Sequence, residues 1–174
     1  MVIKYETDDD LKRLVEQLSN DKKNKVDYIT EALNLIASYD IGTKKFYLNI
    51  QQQQNLDTLP IDKLSFEIND TCHNQIALKT QIPKQFYDRI KENHPELLLE
   101  NINQLIRDKD KVMIRTLYGK ARALLSNRYR PIDNFDVMSC ALTNLAEIRQ
   151  KQNIDIRIMK ASVTDTHFYL KVIS

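Results

Sequence analysis

At 174 residues the chain has about the length of one ordinary domain. Apolar residues make up 42% and charged residues 29%, and 26 Lys and Arg against 24 Asp and Glu leave a formal charge of +2. These values exclude a disordered chain and a polybasic binder. No apolar run reaches the roughly 18 residues of a membrane-spanning helix, the acid-rich opening is unlike a signal peptide, and only two glycines, Gly42 and Gly119, leave no room for glycine-rich phosphate loops.

Thr7 followed by Asp8, Asp9 and Asp10 has the form of a helix start, with a capping hydroxyl and acids at the positive end of the dipole. Leu11, Leu14, Val15 and Leu18 then make one apolar stripe. After the polar break at 19–25, the spacing of Ile29, Ala32, Leu33 and Ile36 predicts a second helix over 27–38, so that 1–40 forms an N-terminal helical part. Residues 45–50 (KFYLNI) and 64–68 (LSFEI) suit strands, with a polar glutamine loop after the first.

Residues 70–108 are expected to form three short helices. Asn69, Asp70 and Thr71 offer caps for the first, which carries Ile76 and Leu78. Pro83 opens the second, with Phe86 and Ile90 inward, and His94-Pro95-Glu96 opens the third, with Leu98, Ile102, Leu105 and Ile106 as its stripe. A helix-turn-helix DNA reader would want a basic recognition face. The balanced charges Lys84, Asp88, Arg89, Lys91 and Glu92 favour packing instead.

From Lys111 the expected order is β-β-α-β-β. A hairpin over 112–126 turns at Tyr118-Gly119, which pairs Leu117 with Lys120 and Arg115 with Arg122. Asp133 or Asn134 caps a helix carrying Met138, Ala141, Leu142, Leu145 and Ile148. Ile154, Ile156 and Ile158 alternate as a strand, Thr164-Asp165 turns, and Phe168, Leu170 and Val172 make the last strand. The whole predicts a single α+β domain, an antiparallel sheet with helices packed on one side.

The richest polar stretch runs from Ser126 to Asn134. Arg128 and Arg130 flank Tyr129, and arginines for phosphates with an aromatic ring for a base are the two devices of single-strand binders. Arg115 and Arg122 set opposite one another would repel unless an anion lay over them. Arg115, Lys120, Arg122, Arg128 and Arg130 are therefore candidate phosphate contacts, Tyr129 a candidate stacking ring, and Ser126, Asp133 and Asn134 members of a polar network. The alternative is a closed network in which Arg122 and Arg128 brace the loop through Asp133. Asp133, Asp136 and Asp165 have no spacing that fixes a two-metal nuclease site. Neighbours Cys72 and His73 on a helix do not face one another as a nucleophile and base would. Two cysteines, Cys72 and Cys140, suit buried or half-buried thiols in a reducing cytoplasm. No catalytic residue, metal ligand or cofactor is expected.

The segment Arg115–Asn134 (RTLYGKARALLSNRYRPIDN) resembles the signature of the phage/plasmid-like protein family, whose shared domain has no assigned function. His73-Asn74-Gln75, the run Ile82–Tyr87 (IPKQFY) and Asn101-Ile102-Asn103 resemble an earlier block of the same family, so the likeness covers residues 60–173. It implies a gene carried by phages or plasmids and a protein acting in the bacterial cytoplasm. The family's Arg, Ser, Arg, Tyr and Asp-Asn positions fall on Arg122, Ser126, Arg128, Tyr129, Asp133 and Asn134. The expectation is a non-catalytic accessory protein that binds single-stranded nucleic acid, with annealing-type action and homo-oligomers as its natural extension. A protein–protein module, such as a host-takeover or anti-defence factor, is the first alternative, and a metal-dependent nuclease the second.

Overall fold

A computed structural model describes residues 8–51, 64–108, 110–164 and 167–173. The Thr7 cap, the glutamines after Gln51 and the Asp165 half of the last turn lie outside these. The described residues form an α+β fold in two compact units, 25–129 and a second made from 1–24 with 130–174.

In the first unit, strands β1 (Lys25–Glu31), β2 (Leu35–Asp40), β3 (Lys45–Ile50), β4 (Leu64–Ile68), β5 (Lys111–Leu117) and β6 (Lys120–Ser126) make one sheet in the order β1-β5-β6-β4-β3-β2. All neighbours run antiparallel except β4 and β6, which meet in parallel through Glu67–Lys120 and Ile68–Ala121. Helices α2 (Asp70–Lys79), α3 (Lys84–Asn93) and α4 (Pro95–Arg107) lie in the chain between β4 and β5. They pack on one sheet face, against the alternate positions Leu35 and Ala37, Phe46, Leu48 and Ile50, Phe66 and Ile68, and Val112 and Ile114.

The predicted helix over 27–38 is corrected to two strands joined by a single 3-10 turn at Ala32–Asn34. The residues Lys25–Glu31 (KVDYITE) are rich in β-branched and aromatic side chains, and β1 finds its partner more than eighty positions away in β5. Helical spacing of Ile29 and Leu33 was misleading because both face solvent.

Helix starts are where the residues place them. The Asn69 carboxamide oxygen accepts the Cys72 N–H at 2.9 Å, and Pro95 occupies the first turn of α4. Leu98, Ile102 and Ile106 of α4 are fully buried, each worth about 1.5–3 kcal/mol in apolar area removed from water. Leu78 of α2 is exposed. One inward position needs correcting: in α3 Tyr87 is buried where Phe86 was expected. The α3 phase is set by Tyr87 and Ile90, three residues apart, while Phe86 carries Arg89 over its ring. Edge strand β2 is closed by a side chain: Asn103 on α4 accepts the Ala37 N–H at 2.7 Å and donates to its carbonyl at 3.1 Å.

The second unit joins α1 (Asp8–Lys23) and α5 (Asn134–Gln152) to a hairpin of β7 (Arg157–Val163) and β8 (Phe168–Ile173). Its core is Leu14, Leu18, Met138, Ala161 and Val163. Lys22 in the last turn of α1 bonds Asp136 in the first turn of α5 at 2.6 Å, each charge favourable to its own helix end. The expected single sheet is thus two sheets. The strand foreseen at Ile154, Ile156 and Ile158 starts at Arg157 instead, and Met159 is an extra residue in its pairing with β8. Cys72 is buried, whereas Cys140 is exposed.

Candidate nucleic-acid interface

The β5–β6 hairpin turns through Tyr118 and Gly119 at φ 50° and 74°. Positive φ at both central residues is the two-residue turn whose twist matches the strands. Leu117 then pairs with Lys120, as the sequence indicates. The next pairs are Thr116–Ala121 and Arg115–Ala123, which leaves Arg122 as an extra, bulged residue. The expected opposition of Arg115 and Arg122 is therefore absent. One bulge rotates every later side chain, and turn chemistry alone does not reveal it.

Arg115 is also corrected as a phosphate contact. It sits across from Asp27 on β1, donates Nε–H to Asp27 Oδ1 at 3.0 Å, and its side chain is only 6% exposed. The carbon of its guanidinium lies 5.7 Å from the centre of the Tyr129 ring. Tyr129 is held at its backbone as well, its N–H donating to the Ser126 carbonyl at 3.1 Å in a turn over 126–129. Ser126 thus serves the loop through its carbonyl. Tyr129 remains 42% exposed with a buried cation against its ring. An aromatic held this way presents π surface to an incoming base with little conformational freedom left to lose.

Arg128 and Arg130, flanking Tyr129 in the chain, are both exposed, and among the described residues neither has an ion-pair partner. Lys120 belongs to a different cluster. It bonds Glu67 Oε1 at 3.2 Å while Lys45 bonds Oε2 at 3.0 Å. Hydrogen bonds from Lys45 and then Lys120 hold the Glu67 carboxyl below its ordinary range. Two ammoniums share one carboxylate, so Lys120 adds less free charge than its sequence position suggests. Arg122 is half-buried. Asp133 occupies the cap position of α5 without a side-chain cap bond, and Asn134 is the first residue of that helix.

A second set of cations was missed. On the outward face of β7 and β8, Lys160 stands directly opposite Lys171, with Ser162 opposite Tyr169 beside them. Both lysines and Tyr169 are exposed. Like charges in directly opposed positions repel, and a polyanion laid over them removes the penalty. The signal was present in the sequence, but the bulge at Met159 shifts Lys160 out of simple alternation.

Burial pushes the Cys72 thiol up to about 12, which keeps it from acting as a thiolate. Asp136 is taken by Lys22, Asp165 lies outside the described residues, and among those described no three His, Cys, Asp or Glu gather as metal ligands. No helix of the described residues is long and apolar enough to cross a membrane. Comparison with family models, curated proteins and solved structures finds no match.

Proposed function

We propose that the chain binds single-stranded nucleic acid as a non-catalytic accessory protein of a phage or plasmid, the setting suggested by the resemblance of 115–134. Tyr129 stacks on a base, and Arg128 and Arg130 take the phosphates on either side of it. Lys160 and Lys171, with Tyr169, form a second cationic and aromatic surface of the same kind.

The observation that supports this most is the fixed Tyr129, backed by the Asp27-held guanidinium of Arg115 and still open to solvent. Anisotropy of a labelled oligonucleotide tests it. Tyr129→Ala is expected to lose about 1–3 kcal/mol of binding, while Tyr129→Phe keeps most of it because stacking needs only the ring. Equal affinity for wild type and Tyr129→Ala would refute the stacking role.

A protein–protein module is the second reading. It is favoured by the exposed apolar side chains of the second unit, Val137, Ile148, Met159 and Ile173 among them. Binding to a partner through these side chains would survive nuclease treatment and change little with salt.

A further inference from the structure

Within the first unit a cleft of about 380 Å³ opens between the β2–β3 turn, the start of α2 and the end of α3. One wall is apolar, made by Tyr39, Phe46 and Ile68. Its charged lining residues include Lys44 and Lys91 together with Asp70 and Glu92. Lys45 also lines the cleft, but Glu67 already holds it. Among the described residues, neither Lys44 nor Lys91 forms an ion pair with Asp70 or Glu92. The lining therefore holds residues of both charge signs that do not pair with one another.

His73 completes the lining and is only 5% exposed. Its Nδ1 lies 2.7 Å from the Tyr87 hydroxyl. Burial raises the Tyr87 phenol and lowers the His73 imidazole to about 4, so both are neutral near pH 7. A buried phenol must donate its proton, and Nδ1 is the acceptor at hand, which leaves the imidazole hydrogen on Nε2. Nε2 has no partner among the described residues and is not a sealed atom, so its N–H keeps access at the cleft that His73 lines.

We propose that this cleft binds a free α-amino acid with an apolar side chain. The His73 Nε2–H and the ammonium groups of Lys44 and Lys91 receive its carboxylate, Asp70 and Glu92 receive its ammonium, and its side chain lies on Tyr39 and Phe46. A simple anion would engage only the lysines of this lining, and a simple amine only its carboxylates. The volume is at the small end of ligand sites, which begin at about 300 Å³. This site is independent of oligonucleotide binding.

The test is a titration of the full chain followed by the imidazole nitrogen resonances of its three histidines. L-phenylalanine is expected to shift His73 Nε2 saturably at millimolar concentration. 3-Phenylpropionate, lacking the ammonium, and phenethylamine, lacking the carboxylate, are each expected to bind at least about tenfold more weakly, the scale of one lost charge-assisted contact. Lys91→Gln, a change at the cleft edge, should weaken phenylalanine by a similar factor and leave oligonucleotide affinity unchanged. No saturable shift with phenylalanine, equal binding of phenylpropionate, or full affinity in Lys91→Gln would each overturn the proposal.

Discussion

Asp27 and Arg115 face one another on adjacent strands, the carboxylate of the first accepting the Nε–H of the second at 3.0 Å. The guanidinium is nearly sealed from solvent, whereas the Asp27 side chain keeps 25% of its exposure. Arg115 thereby links sheet stability to the position of Tyr129, whose ring lies against it.

Removing the carboxylate leaves a buried cation with a lost charge partner. Asp27→Ala is expected to cost about 1–3 kcal/mol in urea unfolding, below the cost of breaking a fully buried pair because Asp27 is partly solvated. Asp27→Ala should also weaken oligonucleotide binding, although Asp27 touches no phosphate in the proposed mode. A stable variant with normal binding would separate Tyr129 from its support.

Asn103 closes the β2 edge by bonding both backbone groups of Ala37. Asn103→Leu strands an N–H and a carbonyl and opens an edge to other chains. The expected loss is about 1–3 kcal/mol, with a rise in aggregation seen by light scattering. Unchanged stability and solubility would mean that the edge needs no cover.

The His73 imidazole titrates near 4 in the folded chain, chiefly through burial, with Lys91 and Lys84 adding to the shift and Asp70 and Asp88 opposing it. Unfolded, it titrates near its ordinary 6.5, so the unfolded chain binds the extra proton between these values. Stability from this group is complete above pH 6.5 and falls as pH drops toward 4, by roughly 3 kcal/mol in total. Urea midpoints measured between pH 7 and pH 4 should decline in the wild type and decline less in His73→Gln.

Lys160 and Lys171 stand in a directly opposed pair. Lys160→Ala should leave stability unchanged or raise it by a few tenths of a kcal/mol, since it relieves like-charge contact. The same change should weaken oligonucleotide binding. Thermal melts and anisotropy on one variant give both readouts, and a drop in melting temperature with unaltered affinity would count against the second surface.

The elements of strong local pattern were legible in the sequence. Leu64–Ile68 alternates with Phe66 and Ile68 inward, Leu98, Ile102 and Ile106 keep helical spacing, and the Tyr118-Gly119 turn fixes the first hairpin pair. Three features were not. Residues 25–31 depend on distant pairing, because Asp27 meets Arg115 only once β5 is in place. The bulges at Arg122 and Met159 leave no compositional mark, yet each decides which cations share a face. At the candidate interface, the sequence pattern set Arg115 beside Arg128, Tyr129 and Arg130 as a contact, since a cross-strand carboxylate eighty-eight residues away is invisible to local reading.

Affinity for a short single-stranded oligonucleotide at low and moderate salt bears on nucleic-acid binding most directly. With Arg128 and Arg130 each displacing a counterion beside Tyr129, log affinity should fall against log salt with a slope of about −1.4, so that a fourfold rise in salt costs about sevenfold. Absence of binding at low salt, or an affinity indifferent to salt, would contradict it.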